Sequence, residues 1–162
     1  MNAYVDSSFL VSSHVVDAHS RSVDRRMASA PAVLQTPFNR VELANAVFQQ
    51  VIQLRLTLTE AQLAWSDFER DWEQGIWIAV DFPYGAWDAC VNLAKQYSSA
   101  FGVRTLDSLH VACALELKAQ KFWTFDERQA RPVKQPAWTP APSCRDSGSY
   151  LGCFFGTTEV VP

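Results

Sequence analysis

The stretch from Arg104 to Arg128, RTLDSLHVACALELKAQKFWTFDER, decides how the chain is read, because it joins a buried helix to a short buried strand. Thr105 can cap the helix, which places Asp107 in its first turn. Leu106, Leu109, His110, Cys113 and Leu117 then follow at helical spacing as one continuous apolar face. The strand Phe122-Trp123-Thr124-Phe125 comes almost at once, with Asp126 directly after it. The helix dipole favours a carboxylate at a helix N-terminus, and a carboxylate at the C-terminal end of a strand lies where open α/β sheets hold their ligands. His110, one turn after Asp107 on the apolar stripe, reads as a core histidine bonded to a backbone carbonyl.

The same alternation recurs through the rest of the chain. Ala3-Tyr4-Val5 is a short strand ended by Asp6, and Ser7 or Ser8 caps a helix carrying Phe9, Leu10, Val15 and Val16. A polar helical segment follows with Arg21, Arg25 and Arg26 on one side, either a solvated face or a cradle for phosphates. Ala32 to Thr36 is a second strand. Asn39 and Glu42 form a capping-box pattern at the start of a long helix reaching about Leu56, and Thr59 opens another with Ala61, Trp65, Phe68 and Trp72 inward. Ile76 to Val80 is a third strand; Asp81 after it is a turn residue or an extra site acid. A helix from Trp87 to Phe101 is broken by Gly102. Strands alternating with helices predict a parallel α/β sheet covered on both faces.

From Arg131 to Pro162 the pattern changes. This part holds five of the eight prolines and no sustained periodicity, so 1–130 is expected as one domain and 131–162 as an irregular tail, with an edge strand in 151–155 or 157–161. The chain of 162 residues is 48% hydrophobic and 19% charged, which describes a core-forming domain and not a disordered one. Its net charge of −3 excludes a uniformly basic surface that binds nucleic acid without specificity. Cys90, Cys113, Cys144 and Cys153 form no CxxC pair, so they read as small buried hydrophobes in a reducing compartment. With no signal-peptide pattern and no apolar run of membrane-spanning length, the expected location is cytoplasmic.

In a parallel sheet, residues just past the strands share one edge, so Asp6, Glu42, Asp107 and Asp126 can converge there. Two carboxylates about 4 Å apart repel by about 4 kcal/mol at a protein surface. A hard divalent ion compensates that charge, and oxygen donors suit Mg²⁺ or Mn²⁺. Such a site suits phosphodiester chemistry. Ser8 and Thr124, beside the acids, have hydroxyls that could orient ligands or a water.

YVDSSFL at the start, NRVELANAV in the middle, and TLDSLHVACAL followed by FWTFDER together resemble the PIN-domain family, in particular the VapC ribonuclease toxins of VapBC toxin–antitoxin modules. The resemblance covers residues 3 to 130 and implies a PIN-like three-layer α/β/α sandwich with a central parallel sheet of four to five strands. It further implies a Mg²⁺- or Mn²⁺-dependent endoribonuclease acting on structured RNA of the tRNA or rRNA class, inhibited by a cognate antitoxin and commonly homodimeric. Carried over by residue, Asp6 and Asp107 are the principal metal ligands, Glu42 a ligand or water-orienting group, and Asp126 an outer acid. The family's final helix and strand have no match in the proline-rich tail. Two other readings remain open: a catalytically inactive PIN-like module that binds RNA or protein, and a phosphoacceptor domain. The second is disfavoured because Asp6 lacks an acidic partner at i+2.

Overall fold

The four apolar runs expected as strands pair into one sheet in the computed structural model, which describes residues 2–29 and 32–126. The strands are β1 (Asn2–Val5), β2 (Ala32–Gln35), β3 (Trp77–Ala79) and β4 (Lys121–Trp123). They lie in the order β3-β2-β1-β4, and every pairing is parallel. The tail 131–162, its expected edge strand, Cys144 and Cys153 fall outside the described residues.

Among the described residues six helices connect the strands: α1 (Ser7–His14), α2 (Ser20–Met27), α3 (Pro37–Ile52), α4 (Leu58–Glu73), α5 (Ala86–Phe101) and α6 (Thr105–Glu116). Strand alternation sorts the core into two halves. Ala3, Val5, Val33 and Trp123 face a cluster with Phe9, Leu10, Leu43, Val47 and Phe68 from α1, α3 and α4. Tyr4 and Phe122 face the opposite cluster with Cys90, Leu109 and Cys113 from α5 and α6. The sheet is thus the middle of three layers, as period-two side-chain alternation requires.

The order of strands positions the site. The chain runs from β1 to β2 to β3 on one side, then returns across the sheet through α5 and α6 to place β4 on the other side of β1. The strand order reverses between β1 and β4, and open α/β sheets form their ligand crevices at such a switch point. Asp6 follows β1 there, and its backbone N–H donates to the Trp123 carbonyl of β4 at 3.2 Å.

Several local expectations shift. The cap of α1 is Asp6, whose side chain accepts from the Phe9 N–H, and not a serine. Helix α3 starts at Pro37 with Thr36 as cap and Asn39 at the third position, so Glu42 is no part of a capping box. For α4 the box is Thr57 with Glu60, two residues before the expected start. Arg104, not Thr105, precedes α6, whose residues 107–114 are all buried, while Leu106 is half exposed. The helix is too deeply embedded to keep a single apolar face. Strand β4 ends at Trp123, so Asp126 lies three residues beyond it. Cys90 and Cys113 are buried free thiols, as expected. Among the described residues no helix is long and apolar enough to cross a membrane.

Candidate metal centre

Asp6 is fully buried, and every donor around it comes from a neighbouring element. Its Oδ1 accepts from the Ser8 hydroxyl at 2.7 Å and the Phe9 N–H at 3.0 Å, both in the first turn of α1. Its Oδ2 accepts from the Thr124 hydroxyl at 2.6 Å, just past β4. Burial pushes the carboxyl above its ordinary pKa, partly offset by the His110 ring and by the Thr124, Ser8 and Phe9 donors. Such a group is stabilised as an anion when a cation comes near.

Asp107 sits one turn into α6 with only 8% exposure, and its Oδ2 accepts from the Arg104 N–H at 3.1 Å. That bond satisfies a donor of the helix N-terminus and aims the carboxylate toward the dipole's positive end. Asp126 is half-buried, and its backbone N–H donates to the Thr124 hydroxyl at 2.9 Å. Thr124 therefore touches both the Asp6 carboxylate and the Asp126 backbone.

Glu42 projects from α3, and its carboxylate meets Nε2 of His110. The expectation for His110 was a backbone carbonyl; instead the fully buried ring has Glu42 on one nitrogen and the Tyr4 hydroxyl 3.2 Å from the other. Tyr4 in turn donates to Asn39 Oδ1 at 2.9 Å, which also accepts from the Thr36 backbone and hydroxyl, while the Asn39 amide donates to the Val5 carbonyl at 2.8 Å. A buried polar chain thus runs from the Glu42 carboxylate through His110, Tyr4 and Asn39 to the end of β1. Burial in the second core raises the Tyr4 hydroxyl well above its ordinary pKa, so it stays protonated as a donor.

The four acids line one open cleft of about 450 Å³, together with Ser8, Arg104 and Leu106. Asp81 is exposed, lies in the loop between β3 and α5, and does not line it. Arg21, Arg25 and Arg26 do not line it either: Arg21 and Arg25 are exposed, and the Arg26 guanidinium lies 5.8 Å from the Trp123 ring centroid. Among the described residues no three acids or imidazoles stand close enough to grip an ion as they are oriented. Each of Asp6, Glu42 and Asp107 is turned onto a protein partner. The donor set is oxygen-only apart from His110, and it fits a hard divalent cation better than zinc.

Reading by residue type missed Tyr4, Asn39 and Arg104. Tyr4 and Asn39 carried a signal, since each is a polar-tipped side chain at a position whose periodicity points inward. Arg104 contributes through its backbone, which residue type does not reveal.

A search of curated proteins by sequence returns no significant match. Several solved structures share the fold. VapC20 from Mycobacterium tuberculosis, a sarcin–ricin loop cleaving toxin, is 15% identical, with a TM-score of 0.61 over 80% of this chain and 94% of that one. VapBC2 from Rickettsia felis, bound to a promoter DNA fragment, is 12% identical with a TM-score of 0.57 over 83% of this chain and 94% of that one. FitAcB from Neisseria gonorrhoeae is 15% identical, with a TM-score of 0.55 over 78% of this chain and 89% of that one. The sequence model of the PIN domain matches residues 3–134. With its parallel sheet, its layers and that match across most of its length, the chain belongs to the PIN-domain family.

Proposed function

We propose that this protein is a metal-dependent endoribonuclease acting on structured RNA, and the toxin of a toxin–antitoxin pair. The observation that carries the reading is the meeting of Asp6, Glu42, Asp107 and Asp126 along one cleft at the strand-order switch point. Asp6 and Asp107 would be the principal ligands of Mg²⁺ or Mn²⁺, with Glu42 and Asp126 as further ligands or water-orienting groups. A bound ion supplies charge neutralisation at the scissile phosphate and a more acidic water. The chain's own part is orientation. Ser8, Thr124 and the Phe9 N–H hold Asp6, the Arg104 N–H holds Asp107, and His110 holds Glu42. These bonds keep the carboxylates along the cleft wall, and an ion would draw them off these partners.

The toxin role, an RNA target of the rRNA or tRNA class, a cognate antitoxin and a homodimeric state are proposed from the family together with the structural neighbours. VapC20 is described as a sarcin–ricin loop cleaving toxin, and VapBC2 as bound to a DNA fragment from its promoter.

Asp107→Asn and Asp6→Asn are expected to abolish Mg²⁺-dependent RNA cleavage while circular dichroism shows the fold retained. Undiminished cleavage by both variants would overturn the nuclease reading. One observation favours a second reading, a catalytically inactive binding module: Asp6 and Asp107 both satisfy helix N-terminal donors, a structural role complete in itself. That reading predicts no heat of Mg²⁺ binding by titration calorimetry, in the wild type or in Asp6→Asn.

A further inference from the structure

The acid cleft does not end at Asp126. Ser7, Ser8 and Asp126 also line a second open cavity of about 490 Å³, whose wall includes His19 and Phe125. The rings of Phe9, Phe125 and His19 form a near-parallel ladder. Phe9 and Phe125 have centroids 5.6 Å apart at 11°, and Phe125 and His19 have centroids 4.3 Å apart at 14°. Phe9 is fully buried, whereas Phe125 and His19 are partly exposed, so the ladder rises from the core to the cavity wall.

The platform is fixed to the site acids through one hydroxyl. Ser8 Oγ donates to Asp6 Oδ1 and accepts from the Phe125 N–H at 2.9 Å. The His19 backbone is held by Asp17, whose Oδ1 accepts from its N–H at 2.7 Å and whose Oδ2 accepts from the Ser12 hydroxyl at 2.7 Å. A rigid aromatic face beside a phosphodiester site suits a flat, uncharged ring better than another phosphate. Unpaired bases stack on such faces irrespective of their identity.

We propose that this cavity is a nucleobase subsite, in which an unpaired base next to the scissile phosphate stacks on His19 as the next ring of the ladder. The inference rests on the nuclease reading above. It assigns His19 and Phe125 to substrate positioning, with the acids left to the chemistry.

The test uses the Asp107→Asn protein, so that the probe stays whole, and fluorescence anisotropy with two labelled probes of equal length and charge. One is an octamer of riboadenylate and the other an abasic phosphate spacer. The base-containing probe is expected to bind about five- to a hundred-fold more tightly. Adding His19→Ala should remove that preference while leaving spacer affinity unchanged, and His19→Trp should restore it. His19 makes no side-chain capping bond, so His19→Ala removes no hydrogen bond from the start of α2. A preference that survives His19→Ala, or no preference at all, overturns the subsite. The wild type is assayed for Mg²⁺-dependent cleavage alongside: no cleavage and no probe binding overturns both readings, whereas cleavage with the preference intact in His19→Ala overturns the subsite alone.

Discussion

Glu42 owes its orientation to a residue that nothing in its own helix supplies. His110 comes from α6 and Tyr4 from β1, and the Tyr4 hydroxyl bridges His110 Nδ1 and Asn39 Oδ1. Asn39 keeps its Thr36 partners without Tyr4, but His110 Nδ1 is left bare. Tyr4→Phe is therefore expected to cost about 1–2 kcal/mol, read from urea unfolding. It should also weaken Mg²⁺ binding several-fold by calorimetry, because the ring that holds Glu42 is free to turn. Unchanged stability and unchanged Mg²⁺ affinity would show that the buried chain does not position Glu42. The acids themselves were legible in the sequence, because each stands at a predicted strand end or helix start. Their partners were not. Which atom a buried histidine meets depends on how α3, α6 and β1 are docked, and no periodicity along one element encodes a contact made by three.

Helix ends show the same divide one level up. Three helices stop in the same hydrogen-bonded turn, in which the residue after the C-cap adopts a left-handed backbone. After α4 that residue is Gly75, with φ of 73°, and its N–H reaches the Trp72 carbonyl while the Ile76 N–H reaches Asp71. After α3 it is Leu54 at φ 58°, with N–H bonds from Leu54 to Val51 and from Arg55 to Gln50. After α6 it is Lys118 at φ 52°, with bonds from Lys118 to Leu115 and from Ala119 to Ala114. A Cβ in that conformation costs about 1 kcal/mol, which glycine avoids. Leu54→Gly and Lys118→Gly are each expected to raise stability by about 0.5–1 kcal/mol, with the larger gain at Leu54, a residue 92% exposed that packs little. A fall in the denaturation midpoint for both would show that these turns are not strained. The stops at Gly75 and Gly102 were readable because glycine marks them. The end of α3 was not: with leucine at the turn and Val51, Leu54 and Leu58 at helical spacing, the sequence reads on to about Leu56, four residues beyond Ile52.

For the whole molecule, strands alternating with helices foretold a parallel sheet covered on both faces, but the strand order depends on crossover lengths and docking, which no single segment records. One consequence of having two separate cores is a stability that should fall at alkaline pH. The core beneath α5 and α6 buries Tyr4 and Cys113 completely, and Cys90 nearly so. Burial pushes the Cys113 thiol from 9.0 up to about 12, and raises Cys90 and the Tyr4 hydroxyl as well. In the unfolded chain these groups ionise near their ordinary values, while in the folded protein they hold their protons. Above about pH 9 the unfolded state therefore binds fewer protons than the native state, and stability declines as pH rises. The stabilisation is fully present below the unfolded values and is lost progressively toward the raised folded ones. Each buried group contributes a slope of at most about 1.4 kcal/mol per pH unit in that window. Urea midpoints measured at pH 8, 9, 10 and 11 should decline with increasing steepness. Cys113→Ala should start lower through its lost packing yet decline less steeply by about one group's share. Parallel curves for the two proteins would show that Cys113 ionises as readily in the folded core as in the unfolded chain.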